Sequence, residues 1–272
     1  VLVGAAVLAG AVVLVVTALD RLQPEPPVVA RCTATLGGTD WSLSADQAQH
    51  AALFAAVAQR RGLPARAVTI AIATALQESK LANIDYGDRD SVGLFQQRPS
   101  QGWGSVEEIL DPVYSVGKFY DGLVKVRGYE DMAITDAAQA VQRSAFPEAY
   151  AQHEVRARAW ASGLTGQSPA TVTCRLPESD DGSVAAVRER VERDFGDLPL
   201  RALDSGVVLD ASALGGDPTR AGWAVASWAV ATAHELGVQR VDVADRTWTR
   251  ESGAWTTNDR GPRDAGSVRV GL

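Results

Sequence analysis

Residues 64–103 read PARAVTIAIATALQESKLANIDYGDRDSVGLFQQRPSQGW, and their reading decides the rest of the chain. Val68, Ile70, Ala71, Ile72, Ala73, Ala75 and Leu76 leave the first half with no polar face, which predicts a helix inside a core. Pro64 suits its first position, where a missing N–H costs nothing. The helix runs out in Gln77-Glu78-Ser79-Lys80. A carboxylate there loses water on one side and sits near the negative end of the helix dipole. Both effects favour its protonated form. An acid with a raised pKa suits protonation of a glycosidic oxygen near neutral pH. The plain alternative is a solvated Glu at an ordinary helix end.

Beyond Glu78 a polar, turn-rich segment leads through Tyr86, Asp88 and Asp90 into Gly93-Leu94-Phe95-Gln96-Gln97. Glu-Ser followed at this distance by Gly-Leu-Phe-Gln resembles the signature of the soluble lytic transglycosylase and goose-type lysozyme superfamily. The run YGDRDSVGLFQQRPSQGWG also resembles lysozyme-like domains of secreted actinobacterial wall proteins. The resemblance covers roughly residues 40–165, with Phe95 where the family usually has Met. It implies a mainly α lysozyme-like domain acting on peptidoglycan glycan strands, with Glu78 as the catalytic acid. It further implies that Ser79 bonds the substrate or the Glu, and that Gln96 bonds an acetamido group or the cleft backbone. A Tyr from a late helix orients the Glu in that superfamily. Tyr150 is the candidate here, although the usual Tyr-Asn-Ala-Gly segment is missing and Gln139, Gln142 and SAFPEAY stand in its place. No cofactor is implied.

A lytic transglycosylase needs one carboxylate, because the muramyl C6 hydroxyl attacks intramolecularly. A hydrolase usually needs a second as base or nucleophile. Asp88 and Asp90 lie in the right segment for that role, and equally suit a self-paired turn around Arg89. Trp103 reads either as a ring that stacks on a sugar or as a lid over the core edge. A non-catalytic glycan-binding module is the competing class of function.

The chain has 272 residues, 46% of them hydrophobic, enough for one large domain or two modest ones. A net charge of −7 argues against a nucleic-acid partner. Three His and two Cys show no metal-ligand spacing, so no metal site is expected. Residues 1–19, VLVGAAVLAGAVVLVVTAL, carry no charge and are long enough to span a bilayer, as a signal anchor or a cleaved signal peptide. The anchor reading places a single-pass protein in the cell membrane with its domains outside. Residues 20–39 read as a Pro-rich linker. Cys32 and Cys174 are the only cysteines, and in an exported protein such a pair suggests a disulfide; two separate buried thiols are the alternative.

Helices are expected from Ala45 to Arg61 behind an N-cap Ser44, from about Ser105, from Pro112, over 136–141 and over 147–164. Residues 166–183 read as a second linker, and 184–272 as a small α/β or α+β accessory domain. Helices are expected there over 184–195 and 219–236, and strands over 206–210, 238–243, 246–249 and 267–272. Trp223, Trp228, Trp248 and Trp255 offer either a face for glycan or a cell-wall protein partner, or partly core positions. Ser205, His234 and Asp245 lack a nucleophile-elbow sequence and are not read as a triad.

Overall fold

The computed structural model describes residues 27–143 and 147–272; the expected anchor at 1–19 lies outside them. Strands β1 (Arg31–Leu36) and β2 (Thr39–Ser44) form a hairpin. Helices α1 (Ala45–Arg60), α2 (Ala65–Ser79), α3 (Val106–Leu110), α4 (Pro112–Leu123), α5 (Ile134–Gln142) and α6 (Glu154–Leu164) follow. A 3-10 turn, Pro147–His153, leads into α6, where one continuous helix over 147–164 was expected. Strand β3 (Val172–Arg175) returns to pair antiparallel with β1, giving a sheet of order β2-β1-β3. Both stretches read as linkers therefore carry strands.

Local chemistry accounts for the starts of these elements. Ser44 and Gln47 form a capping box on α1, and Ser105 and Glu108 form another on α3. The Asp111 carboxylate accepts from the Val113 and Tyr114 N–H groups ahead of α4, with Pro112 in its first turn. Pro64 is extended and stands one position before α2, as its N-cap. Helix α2 packs on α1, α5 and α6 and is buried from Ala67 to Leu76, as its apolar circumference demands.

The second half holds α7 (Val184–Phe195), β4 (Leu200–Leu203), β5 (Gly206–Asp210), α8 (Pro218–Ala231), α9 (Ala233–Leu236), β6 (Arg240–Val243), β7 (Arg246–Thr249), β8 (Ala254–Thr257) and β9 (Ser267–Gly271). Its six strands pair antiparallel in the order β4-β5-β9-β6-β7-β8. Helix α8 is buried throughout from Ala221 to Ala231. It lies on β6 and β9 and also against α1, α6 and β3, so one apolar core runs through both halves. The expected helix over 219–236 is broken at Thr232, where α9 begins.

Polar contacts lock the halves together. The nearly inaccessible Arg190 on α7 donates to Asp194 (2.8 Å), to Glu235 on α9 and to Gln49 on α1 (2.9 Å). Trp228 Nε1 donates to the same Asp194 (2.8 Å), so this buried charge is paired and bonded. Cys32 and Cys174 face each other across β1 and β3 and form the disulfide. Trp223, Trp228 and Trp248 are buried, and Trp255 donates to the Val172 carbonyl of β3 (2.8 Å). They form core and a seam between the halves, and no exposed aromatic face.

Candidate active site

The last turn of α2 carries Gln77, Glu78 and Ser79 out of the core. The chain then leaves through Lys80 and Leu81, both left-handed at φ 56° and 61°. Consecutive non-Gly residues in this region store strain that the surroundings must hold. Here α1 does so: Gln47 Nε2 donates to the Lys80 carbonyl (2.7 Å), and His50 Nδ1 bonds the Leu81 carbonyl (3.0 Å). Leu81 itself is fully buried. No local signal marks His50 for this place, which depends on α1 crossing the end of α2.

Glu78 is half-buried, and the Tyr150 hydroxyl donates to its Oε1 at 2.6 Å. The Gln142 amide bonds the same carboxylate. Burial raises the Glu78 pKa, and the two hydrogen bonds pull against that shift without cancelling it. Both donors are neutral. Gln142 also donates to the Phe95 carbonyl (2.7 Å), tying the end of α5 to the Gly93–Gln97 segment. Gln77 accepts from Gln152 Nε2 (3.1 Å) and lies 3.2 Å from His153 Nε2, which braces the 3-10 turn carrying Tyr150.

The structure places the remaining candidates as follows. The buried Ser79 hydroxyl sits on the Leu94 carbonyl (2.7 Å), so it fastens the helix end to the next segment. Val92 and Gln97 exchange backbone hydrogen bonds at 3.0 Å and close that segment into a tight loop. Gly93 has φ 79°, and a Cβ there would stand 2.9 Å from the Ile109 carbonyl, so only glycine fits. Leu94 is buried, and Phe95 stacks between Phe54 and Phe119 with centroids 5.1 and 4.3 Å away. Gln96 donates to the carbonyls of Tyr86 (3.2 Å) and Gly93 (3.4 Å), which is the backbone role among its two expectations. Gln97 is buried and donates to the Ser115 carbonyl. These residues fasten the segment to the ends of α2 and α5, and of them only Ser79 lines the cavity at Glu78.

Asp90 accepts from Arg98 Nε (2.7 Å) and from the Ser100 N–H (2.8 Å). Those bonds to the charged form hold its carboxyl well below the usual range. Asp88 is exposed and only loosely paired with its neighbour Arg89, at 3.9 Å.

Two cavities meet this constellation. One, of about 770 Å³, is lined by Glu78, Ser79, His50, Asp46, Asn83 and Tyr86, with Tyr86 standing 69% exposed at its side. The other, of about 670 Å³, is lined by Trp103 and Gln142. Gln142, which bears on the Glu78 carboxylate, therefore also lines the second cavity. Trp103 is half-buried, and the Tyr114 hydroxyl donates to its carbonyl (3.2 Å).

Among the described residues no group of His, Cys, Asp and Glu is arranged to hold a metal ion, and no helix is long and apolar enough to cross a membrane. No family model matches the chain, and no curated protein matches it.

Proposed function

We propose that this protein is a lytic transglycosylase that cleaves the β-1,4 bond between N-acetylmuramic acid and N-acetylglucosamine in peptidoglycan. One observation carries the reading: Glu78 is a half-buried carboxyl with a raised pKa, held on an open cavity by Tyr150 and Gln142. Such a group keeps its proton closer to neutral pH and has it available for a leaving oxygen. Glu78 protonates the glycosidic oxygen as the C1–O bond breaks. The resulting carboxylate, steadied by the Tyr150 hydroxyl, takes the proton of the muramyl C6 hydroxyl as that oxygen bonds C1. Atoms balance with a 1,6-anhydro product and no water. Tyr86 offers an exposed ring on the cavity wall for a sugar face.

Hydrolysis is the second reading. Asp90 is engaged by Arg98 and the Ser100 N–H, which leaves it ill-suited as a base. Asp46, in the first turn of α1, lines the Glu78 cavity and is a second carboxylate there. The Cys32–Cys174 disulfide fits an oxidising compartment, in keeping with a protein anchored by residues 1–19 and facing the wall. Its second half, welded to the first, is a place for a cell-wall protein partner.

The test is to incubate wild type and Glu78→Gln with purified peptidoglycan and identify products by mass spectrometry. Anhydro-muropeptides from wild type alone are the expected result. Reducing-end products make the enzyme a hydrolase, and Asp46→Asn is then the next variant. No products from wild type, with the protein still pelleting with the wall, leaves a binding module.

A further inference from the structure

Gln142 belongs to two places at once. Its amide bonds the Glu78 carboxylate, and its side chain lines the second cavity with Trp103, Lys125, Val126 and Arg143. No carboxylate lines that cavity among the described residues. Lys125 and Arg143 are both exposed, and neither forms an ion pair among the described residues. The chain as a whole carries 33 acidic against 26 basic residues, so a cavity with two unpaired cations and no acid runs against its composition. The Glu78 cavity is different: Asp46 and Glu78 share its lining with Lys80. Trp103 gives the cationic cavity an apolar wall, and two donor side chains of different reach stand on it.

We propose that this second cavity is an anionic subsite, taking a carboxylate-bearing substituent of the strand whose glycosidic bond lies at Glu78. The inference rests on the glycan reading above and deepens it. A polymer of N-acetylglucosamine alone is neutral and gives Lys125 and Arg143 no counter-charge. A strand containing N-acetylmuramic acid carries the lactyl group, either as a bare carboxylate or extended by a peptide with its own carboxylates. Both sources share the chemistry that the cavity fits. The contacts lie near solvent, so they set selectivity more than overall affinity and weaken with salt.

Calorimetric titration of the full chain with three soluble glycans of equal length tests this. The probes are the N-acetylglucosamine oligomer, the alternating muramyl strand with bare lactyl groups, and the same strand with its peptides. Wild type is expected to bind at least one anionic strand about tenfold tighter than the neutral oligomer, a preference that high salt erodes. Lys125→Gln combined with Arg143→Gln is expected to remove the preference while leaving the neutral oligomer's affinity unchanged. The tighter of the two anionic strands identifies the source of the carboxylate. Equal affinity for all three probes, unchanged in the double variant, overturns the subsite and leaves the glycan reading standing. Binding of none of them by folded wild type overturns both.

Discussion

The end of α2 and the loop from Asp88 to Ser100 are joined by the Ser79–Leu94 hydrogen bond, yet they hold their carboxylates in opposite ways. Glu78 loses water to burial, and its hydrogen bonds from neutral groups do not offset that loss, so its acid form is favoured. Asp90 receives the Ser100 backbone N–H and then the Arg98 guanidinium, so its charged form is favoured. The contrast teaches that the balance of burial against hydrogen bonds to the charged form, and not the residue type, sorts a carboxyl into acid or anchor. In the loop the charge fixes shape. At the helix end burial raises the carboxyl's pKa.

Both regions rest on Phe95, whose ring is stacked in the core while its carbonyl accepts from Gln142. Phe95→Ala is the most damaging single change expected, costing about 3–5 kcal/mol in chemical denaturation because the neighbouring rings cannot close the cavity. A loss under about 1 kcal/mol would mean that the segment is seated by something other than this ring. Tyr150→Phe comes next, since the buried phenol is replaced without change of shape. Removing one hydrogen bond to a charged group costs about 1.5–3 kcal/mol, so kcat should fall roughly 10- to 100-fold with little change in Tm. The Tyr150 bond lowers the Glu78 pKa. Its loss raises that pKa further, so the alkaline limb of the pH–rate profile should move upward. An unmoved limb separates Tyr150 from the acid and breaks one side of the contrast.

Legibility followed the range of the interactions. Helix α2 was readable because an apolar circumference and a polar last turn are local signals, and the spans of α7, β5 and β7 were readable for the same reason. The small sheet was not: β1 and β3 lie in a Pro-rich stretch and a Thr/Ser-rich stretch, and their pairing spans 142 residues between Cys32 and Cys174. Helix α8 advertised burial, but nothing local said that two halves of the chain would share it. At the site, Glu78 followed from the helix pattern, whereas Tyr150, 72 residues away, followed only from the resemblance. Ser79 was read as bonding the substrate or the Glu, and Gln96 as bonding an acetamido group or the cleft backbone. Both serve backbone carbonyls, which is one of the two roles for Gln96 and neither of those for Ser79. A hydroxyl or amide in a sequence does not declare which carbonyl will reach it first. Asp88 and Asp90 were readable as a self-paired turn, but the partner that matters, Arg98, comes within reach only once the loop has closed at Val92 and Gln97.

Asp90→Asn is the smallest change in activity and the sharpest test of the contrast. An amide keeps one acceptor for the Ser100 N–H and offers no charge to Arg98. Because the folded carboxyl is held below its ordinary 3.8, its contribution to stability is fully present above that value. It is lost as the pH falls through the lower folded pKa. The variant should therefore melt below wild type at neutral pH, keep the same gap in mildly acidic buffer, and approach wild type as the pH drops below 3.8. Turnover of peptidoglycan should change less than about threefold, with the same products, because a loop anchor carries no proton in the reaction. If Asp90→Asn instead abolishes turnover while the melting curves superpose at every pH, Asp90 is a working second carboxylate. The division between acid and anchor then fails, and the chemistry shifts to hydrolysis.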